Sequence, residues 1–396
     1  MAEIPFHSWG ARQAEDALPN PLPDPGSVIV QASAGNAHSL FLTSTGRVYS
    51  CGFNDYGQLG REDVPPDGYA GNLGVIPGLG DVALVSAGNT FSLFVLANGE
   101  AWSCGSNDYG QLGRAAAPGE DSATNLGKIP GLSGIVSAAA GGVGGNWNSH
   151  SLFVASDGTA WSCGLNDSGQ LGRAVESGTE DEPNLAAVPG LPFVTAAAAG
   201  ETHSLFLASD GRVFSCGGDI PALGRGEDDS DLEGDDGTVN LGLAATGATA
   251  VAAGQNVSMI RLANGQIHSC GENTWYQLGR ATGEVYQSYF GLCGSGASMA
   301  AGRQFSGLVT GGKGYTFGRN SYGQLGRAAP DGYYDTPNTG YTLGGGLTGM
   351  AAGQYHALFW NSSGNAYSCG AQCLGRPGVT APGNPQESTN LGVVVF

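Results

Sequence analysis

Residues 35–61, GNAHSLFLTSTGRVYSCGFNDYGQLGR, decide the fold, because the cassette returns at 88–114 as GNTFSLFVLANGEAWSCGSNDYGQLGR and then five more times in looser form. Each copy opens on a glycine that closes a run of small residues: Gly35, Gly88, Gly141, Gly200, Gly254, Gly302 and Gly353, at steps of 53, 53, 59, 54, 48 and 51 residues. A period of this size marks a closed or stacked repeat architecture rather than a catalytic domain.

Within a cassette the apolar runs are short and divided by turn residues, which reads as strands. Residues 39–42, the Gly-bearing turn 43–46 and residues 47–51 make a hairpin. Runs such as Val85-Ser86-Ala87 and Ala197-Ala198-Ala199 suit an inner strand crowded near a central axis. After each Leu-Gly-Arg a variable loop leads to Asn-Leu-Gly, at Asn72, Asn125, Asn240 and Asn390, read as an outer strand. Four strands per unit, seven units and no sustained 3.6-residue apolar period predict an all-β chain, a seven-bladed β-propeller of four-stranded blades. Because the chain starts inside one unit at 27–30 and ends inside another at 390–396, pairing of the N- and C-terminal strands in a shared blade is expected to close the ring. Residues 27–396 read as a single domain, and residues 1–26, with Pro5, Pro19, Pro21, Pro23 and Pro25, as an extended N-terminal arm.

Composition narrows the function. Acids number 34 against 15 bases, a net charge of −19. That balance opposes sequence-blind binding to nucleic acid or anionic lipid, which needs clustered Lys and Arg. No window approaches the roughly 20 apolar residues of a membrane span, and the N-terminus has no basic segment followed by an apolar one, so a soluble, intracellular and cytoplasmic protein is expected. Six of the eight cysteines (Cys51, Cys104, Cys163, Cys216, Cys270 and Cys369) occupy one cassette position, always Ser-Cys-Gly. They read as small buried hydrophobes on separate blades, not disulfides; the pairing of Cys293 and Cys373 stays open.

The succession GxxHSLFL, GRVYSCG and NDYGQLG, in seven copies over residues 27–396, resembles the repeat of the regulator of chromosome condensation family. The resemblance implies a seven-bladed propeller. It leaves function open, since the family includes an exchange factor for a small GTPase, a plant ultraviolet-B photoreceptor, a secreted inhibitor of β-lactamase and many scaffolds. The photoreceptor's repeated Gly-Trp-Arg-His-Thr does not occur here. The family histidine survives as His38, His150, His203 and His356 but is Phe91, Val257 and Phe305 elsewhere, which makes its role structural. Each unit ends in Leu-Gly-Arg (Arg61, Arg114, Arg173, Arg225, Arg280, Arg327 and Arg376), and such uniform recurrence reads as bracing of each blade rather than as an anion site.

Departures from symmetry are therefore where a partner site is sought. The third unit is six residues longer before His150 and presents Asn146, Trp147 and Asn148 in a Gly-rich loop. The fourth holds seven acids in residues 226–239, among them Asp228, Asp229, Asp231, Glu233, Asp235 and Asp236. Its Asp-x-Asp-x-Glu-Gly run resembles a calcium loop, but Asn240 stands at the twelfth position and no helices flank it. No catalytic residue, metal or cofactor is expected. The reading is a non-catalytic scaffold subunit that docks through its loops in a multi-subunit protein assembly; the alternative is a guanine nucleotide exchange factor for a Ras-like small GTPase.

Overall fold

A computed structural model describes residues 26–62, 72–116, 125–142, 149–218, 220–226, 240–333, 335–371, 374–376, 389–394 and 396. The N-terminal arm, apart from Gly26, lies outside the described residues. Seven four-stranded antiparallel sheets follow one another along the chain and stand in a ring, a seven-bladed β-propeller. The first blade runs from an inner strand Ile29–Ala34 through His38–Thr43 and Val48–Gly52 to an outer strand Gly74–Val75.

Strands of the HSLFL type are buried along their whole length, which explains why they read as continuous apolar runs without alternation. Successive residues point to opposite faces of a sheet, and both faces of a blade are covered by neighbours. Leu40 enters the core shared with the second blade, while Phe41 enters the core shared with the seventh. Every blade-to-blade interface has its own apolar cluster. The core is thus seven slots rather than one centre. The small residues of the inner strands line a central channel of about 210 Å³, bordered by alanines and serines with Met299 and Met350.

Around that channel the chain closes a ring of backbone hydrogen bonds. Asn36 donates its N–H to the carbonyl of Gly88 (3.2 Å), Asn89 to Gly141 (3.2 Å), Gly142 to Gly200 (2.9 Å), Gln255 to Gly302 (3.1 Å), Arg303 to Gly353 (3.2 Å) and Gln354 to Gly35 (3.2 Å). Glu201 alone departs, donating to Gln255 at 3.3 Å. The seven glycines on which the sequence is periodic are the residues that allow this approach: a Cβ on Gly88 would stand 2.9 Å from the Gly141 oxygen, and one on Gly141 2.8 Å from the Gly200 oxygen.

The expected exchange of terminal strands does not occur. The first blade is built wholly from residues 29–75, and the outer strand Gly392–Val393 completes the seventh blade by pairing with Tyr367 and Ser368. Closure is instead made by packing and local bonds. Gln354 donates to Gly35 and Ile29 donates to Gly364. Val394 joins Ile29, Phe41, Tyr49 and Cys51 in the core between seventh and first blades, and the Phe396 ring meets Phe41 and Tyr49 edge-on at 5.4 and 5.3 Å. Val394 donates to Ala366 as Ile76 does to Val48 and Ile129 to Ala101. The terminal residues thus fill the slot that the following blade's linker fills elsewhere, so no shared strand is required.

Two blades differ from the cassette. In the fourth, a one-turn helix Ile220–Leu223 replaces the NDYGQLG turn. In the fifth, the outer strand Tyr286–Ser295 has ten residues where the first blade's has two, and a bulge at 288–290 carries it toward Gly224 and Arg225.

A methyl group on a ring glycine must force neighbouring blades apart. Gly88→Ala is expected to cost about 1–3 kcal/mol, the usual range for overpacking, whereas Gly80→Ala, where a Cβ meets nothing within 4 Å, is expected to stay within about 0.5 kcal/mol. Urea unfolding of the two variants measures both.

Candidate functional site

The recurrent chemistry of the cassette is consumed within the fold. Asn72 turns its side chain into a strand substitute: Oδ1 accepts from Gly52 N–H and Nδ2 donates to Gly52 O, both at 2.7 Å. Asn125, Asn184, Asn240, Asn338 and Asn390 clamp the glycine that ends their own third strands. This side-chain pairing explains how outer strands of two residues hold.

The arginines do what uniform recurrence predicts. Arg61 Nε donates to Ser50 Oγ (3.1 Å), and its Nη2 to the carbonyls of Ser50 and Asn72. Arg114, Arg173 and Arg376 repeat the same three bonds, while Arg280 and Arg327 brace the two flanking carbonyls of their own blades. Arg225 lies against Gly242 as Arg61 lies against Gly74. Burial pulls the guanidinium groups of Arg114, Arg173, Arg280, Arg327 and Arg376 below their ordinary range, Arg376 to about 10. They form blade braces, not a convergent anion site.

Each surviving histidine staples its blade to the next. His38 pairs with Ser92 (2.9 Å), His150 with Ser204 (2.9 Å), His203 with Ser258 (3.0 Å) and His356, across the closure, with Ser39 (2.9 Å). Ser92, Ser204 and Ser258 spend their single proton on the carbonyls of Gln58, Gln170 and Ala222. The imidazole Nε2–H must therefore donate, which fixes the tautomer of those three neutral rings. Burial, reinforced at His38 by His356 and at His150 by His203, holds the pKa values at about 3 for His38 and His150 and about 4 for His203 and His356. The six repeated cysteines are buried, and burial pushes the thiols of Cys51, Cys104, Cys163, Cys216 and Cys369 up to about 12. None of the six is in a disulfide, and thiols so buried are unreactive as nucleophiles. Cys293 donates its S–H to Ile267 O, and Cys373 lies outside the described residues.

The sequence-predicted partner residues Asn146, Trp147, Asn148, Asp228, Asp229, Asp231, Glu233, Asp235 and Asp236 all lie outside the described residues. Gly142 and Ser149 flank the first loop, and Gly226 and Asn240 the second. These flanks stand on the face that carries the inner-to-second-strand turns and the NDYGQLG turns.

That same face holds a side-chain cluster that sequence reasoning missed. In blades five to seven, the Arg319 guanidinium stacks on Trp275 (4.8 Å) and on Tyr322 (5.7 Å), while Arg303 stacks on Tyr355 (5.7 Å) and donates to its hydroxyl at 2.7 Å. The Tyr322 and Tyr355 rings lie 4.6 Å apart and bridge the two halves, and Tyr333, 47% exposed, stands 5.4 Å from Trp275. Arg319 also donates to Gln304 Oε1 (2.5 Å) and to Ser321 Oγ (3.0 Å). Beside Trp275, Tyr276 adopts φ +65°, where the equivalent positions are Gly57, Gly110, Gly169 and Gly323. A bulky residue held in the left-handed region is backbone strain of the kind stored at functional sites. A signal was present in the sequence: Arg303 is the one base among the seven residues that follow the ring glycines.

Across the face, the chemistry has the opposite sign. Burial and the nearby Asp108 and Asp55 raise the pKa of Tyr56. The first and second blades therefore present carboxylates, and the sixth presents the two arginines.

With this geometry in hand, known proteins give the family. Two profiles described as the regulator of chromosome condensation (RCC1) repeat match residues 29–58 and 82–111, and 45–95 and 157–207. The chain belongs to the RCC1-repeat family. It is 27% identical over 392 residues to the probable E3 ubiquitin-protein ligase HERC6 of Homo sapiens, covering 97% of this chain and 32% of that protein. It is 34% identical over 202 residues to the RCC1-like G exchanging factor-like protein of Homo sapiens, covering 50% of this chain and 42% of that protein. Across the curated relatives it matches, the propeller spans from 5% to 50% of their length. Its fold is that of human WBSCR16, with a TM-score of 0.71 over 87% of this chain and 88% of the other at 21% identity. No helix among the described residues is long and apolar enough to cross a membrane.

Because the folded histidines resist protonation and unfolded ones titrate near 6.5, stability is complete above about pH 6.5 and falls as the pH drops toward 4. Each histidine costs about 1.4 kcal/mol per pH unit in that window. His203→Phe, which copies Phe91 and Phe305, is expected to flatten the fall by one histidine's share, read as the urea midpoint between pH 7 and 5.

Proposed function

We propose that this propeller is a non-catalytic docking module that holds a protein partner on the loop face of blades five to seven. The observation that carries the reading is the Arg303–Tyr355–Tyr322–Arg319–Trp275 cluster. The repeated His, Cys, Arg and Asn side chains are spent on blade packing, whereas this cluster breaks the sevenfold pattern and remains half-exposed. Arg, Trp and Tyr are also the residue types that dominate binding energy at protein interfaces. Among the described residues, no group of three or more His, Cys, Asp or Glu side chains is placed to hold a metal ion, and the four staple histidines are buried and neutral. The partner is a protein, within a multi-subunit assembly.

A second reading is favoured by the relatives. One is described as an RCC1-like G exchanging factor-like protein, and the yeast relative Prp20p is described with binding properties to Gsp1p and histones. An exchange factor acts by preferring the nucleotide-free state of its GTPase and needs no catalytic side chain of its own, so the same face would serve it.

A photo-crosslinking residue at position 322 is expected to capture a partner, while the same residue at position 45, in the hairpin turn on the opposite face, is not. Equal capture from both positions contradicts the docking face. Trp275→Ala and Tyr355→Ala are each expected to weaken the captured complex about tenfold or more, as hot-spot truncations do. Acceleration of GDP release from a small GTPase by the wild-type propeller selects the second reading over the first.

A further inference from the structure

We infer that the Arg303–Arg319 pair is the seat for a carboxylate-rich segment of the protein partner, an acidic stretch with an apolar or aromatic residue beside its acids. This rests on the docking face argued above and names the chemistry of what docks there.

Of the chain's 15 bases, seven are the blade-bracing arginines, and among the described residues Lys128 and Arg212 form ion pairs with Glu100 and Asp210. Arg303 and Arg319, in a chain with 34 acids, form no ion pair among the described residues. Their acceptors are all neutral: the Tyr355 hydroxyl, Gln304 Oε1 and Ser321 Oγ. Asp331 reaches Arg319 only through Ser321, whose hydroxyl it binds at 3.0 Å. Arg303 Nε is buried with no acceptor.

The two guanidinium groups are nevertheless held in place by aromatic rings. Stacking on Trp275, Tyr322 and Tyr355 restricts the side chains while leaving charge uncompensated. A guanidinium fixed in this way loses little freedom when a carboxylate arrives, and its planar donors match carboxylate oxygens in pairs. Trp275 and Tyr333 continue the surface as an apolar bed for the neighbouring side chain. A nucleic-acid backbone would also offer anions, but it spreads charge along its length, and a chain of net charge −19 repels it beyond two arginines. A short acidic peptide brings its charge only where the cations are. The carboxylates at Asp55 and Asp108 on the far side of the face repel the same segment there and so set its position.

The test uses the full chain and fluorescein-labelled 12-residue peptides read by anisotropy. One carries four glutamates around a single tyrosine, a second has those glutamates replaced by glutamine, and a third has them replaced by lysine. The glutamate peptide is expected to bind at least tenfold tighter than either of the others. Arg303→Gln and Arg319→Gln are each expected to weaken it at least fivefold, with melting temperatures little changed because both side chains are only half-buried. Arg319→Lys is expected to fall between wild type and Arg319→Gln, since it keeps charge but loses the planar stack. Equal binding of the glutamate and glutamine peptides, preference for the lysine peptide, or indifference to both arginine variants overturns the inference. Crosslinking from position 322 separates the two claims: a partner captured there equally well by Arg303→Gln and Arg319→Gln preserves the docking face and removes the acidic segment, whereas no capture specific to that face removes the docking reading itself.

Discussion

Seven peptide N–H groups, each reaching into the next blade around a channel too narrow for side chains larger than methyl at most positions, are the constraint on which the rest depends. Six of them meet the carbonyl of a ring glycine and one meets Gln255. Hydrogen bonds between blades fix the distance at which neighbouring inner strands stand, and that distance fixes the thickness of the apolar slots farther out. A Cβ on any of the seven glycines would press on the oxygen of the next ring glycine. The period of the sequence is thus the period of a close backbone approach, and glycine is required for lack of a side chain rather than for an unusual φ.

From the ring outward, each layer is secured by a different polar device tuned to its degree of burial. Next to the ring, where no water enters, neutral His–Ser bonds staple four of the seven interfaces. Where the histidine is absent its place is filled in different ways: Phe305 faces a seventh blade that carries Ala357 instead of serine, whereas Ser151, opposite Phe91, keeps the carbonyl bond that the histidine-paired serines also make, to Gln111 O. Ser306, next to Val257, is buried with no hydrogen-bond partner among the described residues. At the rim, Asn side chains and Arg braces replace the ladder that two-residue outer strands cannot supply. These groups are spent on backbone carbonyls, backbone N–H groups and serine hydroxyls of the blades, which explains why a chain so rich in repeated Arg, Asn and His side chains leaves so few of them for a partner.

Much of this was legible in the residues. The small residues before each glycine, the apolar run HSLFL and the terminal Asn-Leu-Gly each occupy the strand that their composition indicates, because inner, middle and outer strands face three different surroundings. The mode of closure was not legible. The chain ends suggested an exchanged strand, but whether Gly392–Val393 pairs with Ala366–Gly370 or with Val48–Gly52 is a question of which strand lies beside it, and both carry the same Ser-Cys-Gly sequence. The Arg–aromatic cluster was barely legible, its one sign being the base at Arg303 after a ring glycine. Trp275, Arg303, Arg319, Tyr322 and Tyr355 belong to three successive cassettes, and at each position the residue looks like ordinary variation of a loop.

The sequence by itself determined the number of blades, the layer to which each cassette segment belongs and the structural use of its repeated His, Cys and Arg, since each follows from a local requirement for size, polarity or turn geometry that recurs along the chain. Only the tertiary structure decided how the ring closes and where five separated side chains form one cationic and aromatic surface. Both depend on contacts between units, and a repeat states its contacts within the unit in every copy while the singular contacts between copies are written once, in residues whose spacing along the chain carries no sign of their proximity in space.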